Sequence, residues 1–175
     1  MALVFGLVAD FGGDLRAARA AAAVAAASGP LAAGPHRIAP HPPLPWTDPS
    51  GRVELSVVPR GVGSGTALDG DRPRTALTAA EYTALGRALY DLLRAMHGYR
   101  AAAVGWNAEP SVDPAELRAA RAADPHAWGD DGLVLADTVL AGLGGDDRFL
   151  FFVPGFSYLP WRGVRPSSLT ADPAP

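Results

Sequence analysis

Trp106-Asn107-Ala108-Glu109 brings three useful chemistries into one short stretch. Glu109 is a general base, Asn107 an amide that both donates and accepts, and Trp106 a broad apolar face with one N–H donor. With Glu109 as the base and Asn107 orienting a substrate, the stretch could abstract a proton inside an apolar pocket. The same residues also suit a plain structural role: Trp106 closing a core, Asn107 making a turn, Glu109 in solvent. His97 is the other acid–base candidate, although a histidine at the end of a helix also complements the dipole there.

The remaining titratable groups point away from metal chemistry. His36 and His41 stand five apart, whereas one helix face asks for a spacing of about four and one strand face for about two. His126 lies among Asp124, Asp130 and Asp131 without the spacing of a ligand loop, and reads as part of a solvated acidic loop. No metal site is predicted. Gly61-Val-Gly-Ser-Gly65 is glycine-rich like a phosphate cradle, but no helix opens directly behind it and no lysine is present. Gly155-Phe156-Ser157-Tyr158-Leu159 starts like a nucleophile elbow and lacks the closing glycine.

Two absences exclude whole reaction classes. The chain has no cysteine, which removes thiol nucleophiles, Cys-ligated zinc, iron–sulfur clusters and disulfides. It has no lysine, all 15 basic residues being arginine, which removes Schiff-base and pyridoxal chemistry and the P-loop lysine. No cofactor is expected. The bias toward Ala, Arg, Gly and Pro, with Ile38 the one isoleucine, matches the coding bias of a high-GC bacterium.

Aromatic residues supply the second group of candidates. Phe149, Phe151, Phe152, Phe156, Tyr158 and Trp161 crowd the C-terminal quarter. The three phenylalanines before Pro154-Gly155 belong to a strand and read as core. Phe156, Tyr158 and Trp161 lie beyond it, in what reads as a loop, where exposed aromatics make a binding surface or a lid. Trp46, in a proline-rich loop, and Trp106 could join them. The candidate binding residues are therefore Trp46, Trp106, Phe156, Tyr158 and Trp161.

These residues need elements to hold them. Thr78-Ala-Ala-Glu81 is a capping box opening a long helix to His97, with Tyr82, Leu85, Leu89, Leu92, Leu93 and Met96 as its apolar stripe. Gly98 closes it and Tyr99–Gly105 follows as a central strand. Ala2–Ala9 is a buried strand, and Asp14 caps an alanine-rich helix to Ala27. His36–His41 reads as an edge strand, Pro42–Ser50 as a loop and Arg52–Pro59 as a strand. Asp113-Pro114-Ala-Glu116 starts another helix. Leu133–Ala136 and Arg148–Val153 read as strands around a short helix from Asp137.

The order predicts one α/β (α+β) domain over residues 1–163, with a mixed sheet and helices on one face. A ferredoxin-like βαββαβ core carries a C-terminal α-β-α-β extension; a mostly parallel three-layer α/β sandwich is the alternative. Residues 164–175 read as an unstructured tail.

The composition is that of a globular protein, 49% hydrophobic and 19% charged, with a net charge of −3 and no basic footprint for nucleic acid. No basic leader precedes the alanine-rich segment and no run is long and apolar enough for a membrane, so a cytoplasmic protein is expected. Two functions fit. One is a non-enzymatic protein-binding or accessory factor, of the kind that neutralises a toxin, using an aromatic loop surface. The other is a small-molecule enzyme using carboxylate acid–base chemistry without Cys, Lys or metal. The partner is another protein in the first and a small-molecule ligand in the second.

Overall fold

The structure is a computed structural model that describes residues 2–108, 112–124, 131–161 and 167–172. Its elements run β1 (Phe5–Asp10), α1 (Leu15–Ala27), β2 (Leu31–Ala33), β3 (His36–Ile38), β4 (Pro45–Thr47) and β5 (Val53–Val57). They continue with α2 (Ala79–Arg94), β6 (Ala101–Trp106), α3 (Pro114–Ala123), β7 (Leu133–Ala136), α4 (Asp137–Gly142), β8 (Leu150–Val153) and β9 (Phe156–Tyr158). Seven strands form one sheet in the order β4-β5-β1-β6-β7-β9-β8, and each pairing is antiparallel. The fold is of the α+β class as expected, but its large sheet is antiparallel and not mixed, and the mostly parallel alternative does not hold.

The expected split βαβ core is present. Strands β4-β5-β1-β6, connected as β1-α1-β4-β5-α2-β6, interleave two βαβ units in the ferredoxin-like manner. Residue parity sets its two faces. Phe5, Leu7 and Ala9 of β1, Val53, Leu55 and Val57 of β5, and Ala102 and Val104 of β6 share one face, and the buried stripes of α1 and α2 pack on it. α1 contributes mainly alanines (Ala18, Ala21, Ala22, Ala25), so it lies close to β5 and β4. α2 presents Tyr82, Leu85, Leu89, Leu92 and Leu93, with Met96 just beyond its end. Its capping box is complete: the Thr78 hydroxyl accepts from Glu81 N, and Glu81 Oε2 accepts from Thr78 N at 2.7 Å. The helices do not all lie on one face as the element order suggested: β6 and β7 are apolar on both sides, and on the opposite face Leu117 of α3 and Val139 and Leu140 of α4 pack against Ala101, Leu133 and Leu135.

Four local differences from the sequence reading have physical causes. The edge strand of the core is Pro45–Thr47, paired with Val53–Leu55, whereas His36–Ile38 folds back on Leu31–Ala33 as a separate hairpin. Gly34, at φ 61°, makes the turn that closes this hairpin, and proline is tolerated on the edge where Pro45 sits. Second, Phe156–Tyr158 is a strand and not a loop. Pro154-Gly155, with Gly155 at φ 85°, supplies a proline then a left-handed glycine, the pattern of a type II turn, and closes the β8–β9 hairpin. Third, α2 ends at Arg94, so His97 and Gly98 lie beyond the helix. Fourth, residues 167–172 are not a loose tail. Leu169 is buried, its carbonyl accepts from Arg74 Nη1 at 2.8 Å and from the Tyr82 hydroxyl at 3.2 Å, and Asp172 accepts from Ala79 N. Among the described residues no helix is long and apolar enough to cross a membrane.

Candidate functional site

The aromatic C-terminal residues fall on the β8–β9 edge and on the flank of α2 beside it. β9 pairs with β7 through Val134↔Tyr158 and Ala136↔Phe156, which turns Tyr158 and Phe156 toward the face that carries α1 and α2. Tyr158 is half-buried against Tyr90 and Phe152, with ring centroids 5.5 and 5.2 Å apart. Phe156 lies 4.4 Å from Tyr99. Among the described residues β8 pairs with β9 on one side only and is the last strand of the sheet. Its register shifts between Phe151 and Val153. Around that irregularity Phe152 is buried while Leu150 and Phe151 are 51% and 74% exposed.

A groove of about 450 Å³ runs between α2 and residues 158–161. Arg87, Tyr90, Asp91 and Arg94 line one wall, and Tyr158 and Trp161 the other. Arg94 is held twice, by a 2.6 Å ion pair to Asp91 and by stacking 4.7 Å over the Phe152 ring. Arg87 has no ion pair among the described residues. Burial raises the Tyr90 hydroxyl well above its ordinary pKa, so it stays neutral, and it accepts from Trp161 N at 3.0 Å.

Trp161 is anchored more by packing than by exposure. It meets Phe5 edge to face at 5.0 Å. A Cβ on Gly86 would lie 3.2 Å from its ring, and one on Gly105 would lie 3.4 Å away. Glycine at these positions makes the socket that the indole fills. Trp106 is likewise half-buried, 5.3 Å from both Phe5 and Tyr82, and its indole N–H is buried with no acceptor among the described residues.

The other sequence candidates lie elsewhere. Trp46, 57% exposed, sits on β4 at the far edge of the sheet, so the five aromatic candidates do not share one groove. Asn107, at φ 48°, extends the β1–β6 ladder: its Oδ1 accepts from Val4 N at 2.9 Å and its N–H donates to Val4 O at 2.8 Å. Asparagine suits that left-handed position. His97 is exposed. Glu109, His126 and Asp130 lie outside the described residues. His36 and His41 each face a carboxylate, Glu81 at 3.5 Å and Asp69 at 2.8 Å. Asp69 also accepts from Gly61 N at 2.9 Å, so the glycine-rich turn is held by a carboxylate and not shaped for an anion.

The sequence reading missed one charged network. Asp10 is fully buried at the end of β1, and its Oδ2 accepts from Arg100 Nε at 2.9 Å and Nη2 at 2.8 Å. Arg52 reaches Glu54 at 2.6 Å, Asp48 at 3.5 Å and Asp113 at 3.7 Å. Burial opposes the Arg52 charge, but Glu54, Asp113 and Asp10 outweigh it and raise its pKa. The network staples β1 and β5 to the start of α3. The alternation of the β5 segment puts Glu54 opposite Asp10, a signal visible only once the two strands are paired.

Comparison with protein-family models, with curated proteins and with solved structures finds no match.

Proposed function

We propose that the protein is a non-enzymatic binding factor that takes an extended segment of another protein as an added strand on β8. The carrying observation is that this edge is open and apolar. Leu150 and Phe151 are exposed on a strand with no proline from Arg148 to Val153. The opposite edge is treated differently: β4 begins with Pro45 and is flanked by Pro42, Pro43 and Pro49, which cannot donate to a ladder. Proteins usually blunt exposed edges with prolines, charges or brevity. A proline-free apolar edge, short and bulged but with Leu150 and Phe151 exposed, beside a groove of Tyr, Trp and Arg side chains, supports recognition by strand addition. The acid–base alternative gains no support from the described residues, because the Asn107 amide oxygen is engaged with Val4.

The test is affinity capture from source cells with wild type and Phe151→Asp in parallel. Phe151 points to solvent, so the substitution leaves the melting curve close to wild type. The reading expects a specific protein retained by wild type and lost by the variant. Equal capture by both would refute it.

A further inference from the structure

Resting on that reading, we infer that the segment taken at β8 is acidic: an extended peptide whose backbone adds to β8 and whose carboxylates enter the groove beside α2. The edge and the groove are continuous. Leu150 is the cross-strand neighbour of Tyr158, which lines the groove, and Arg94, also a lining residue, stacks on Phe152 of β8. A strand laid along β8 therefore runs past the groove mouth.

Local charge selects what enters. Among the described residues that line the groove, Arg87 and Arg94 face one carboxylate, Asp91, which is bonded to Arg94; the charge of Asp131, which reaches Tyr90, also acts on Arg148. The described lining residues thus carry a net positive charge in a chain whose net charge is −3. Arg87, with no ion pair among the described residues, offers a guanidinium fork matched to a carboxylate. The Tyr158 hydroxyl, in no hydrogen bond among the described residues, adds a second donor. The long-range field of the molecule repels acidic segments in general, so binding one here depends on these groups.

Size separates a peptide from a second copy of this chain. Leu150 and Phe151 together expose on the order of a few hundred Å². A stable face-to-face dimer needs roughly 800 Å² per partner. Two exposed side chains on a four-residue strand match a short added strand and not a face-to-face dimer.

Fluorescence anisotropy with three labelled synthetic peptides tests this: alternating valine with aspartate, with serine and with lysine. The expected result is that the aspartate peptide binds at least about tenfold more tightly than the lysine peptide, with the serine peptide between them. Added salt weakens the aspartate peptide alone. Arg87→Glu, an exposed substitution that leaves the fold intact, inverts the ranking, and Phe151→Asp abolishes all three. Equal affinity for the three peptides, or a ranking unchanged by Arg87→Glu, overturns the acidic preference and leaves strand addition standing. Failure of all three peptides to bind overturns the inference, and the capture experiment with Phe151→Asp then judges the parent reading separately.

Discussion

Phe151 and Phe152 are adjacent, chemically identical and opposite in fate. One is exposed and the other buried under Arg94. The run Phe149–Val153 has no polar alternation to assign faces, and the register shift beyond Phe151 reassigns them within the strand. Core and surface were therefore not distinguishable here from sequence. Asn107 illustrates a related limit. Its type announces a turn, but only the pairing of β1 with β6 shows that both of its polar ends are used on Val4. Glu81 was legible in full, because a capping box is local. Its carboxyl accepts from Thr78 N, which holds its pKa below the ordinary 4.5. A carboxyl depressed in the folded state stabilises above its unfolded value, and loses that effect as the pH falls through the folded one. Glu81→Ala is expected to melt below wild type at neutral pH, with the gap closing below about pH 4. A gap of constant size across that range, followed by circular dichroism, would show that the carboxylate is not the cause.

At the scale of elements, α2 was the clearest prediction, and its stripe packs on the sheet as its periodicity implies. Leu89 is fully buried, and Leu89→Ala should cost about 2–5 kcal/mol in denaturant melts. A loss under about 1 kcal/mol would mean the face is misassigned. The C-terminal hairpin was half legible: its strand β8 follows from composition, but β9 was hidden behind Pro154-Gly155, which reads as loop until it is seen to turn a hairpin. Trp161 changes character for the same reason. The glycine-walled socket on α2 and β6 makes it a packed residue first and a groove wall second. Trp161→Ala should therefore destabilise the fold by about 3 kcal/mol, measured by equilibrium unfolding. An unchanged unfolding midpoint would place the indole outside the core, and only then would this variant serve as a clean binding control. Phe151 is the better residue for that purpose.

Across the whole molecule, the α+β class and the ferredoxin-like order of β4-β5-β1-β6 follow from local periodicity and short connections. What local signals do not carry is which edge is protected. β4 is screened by prolines and β8 is not, and that asymmetry emerges only when the sheet order is known. The return of residues 167–172 onto α2 is equally non-local, resting on Leu169 and Asp172 contacts with Arg74, Ala79 and Tyr82. The functional account depends on the open β8 edge above all else. Amide hydrogen exchange over the whole chain, with and without the captured partner, tests it most directly. The account predicts fast exchange at the amides of Leu150–Val153 that β9 leaves unpaired in the free protein, and marked slowing there in the complex. Protection confined to other regions, with β8 exchange unchanged on binding, would contradict it.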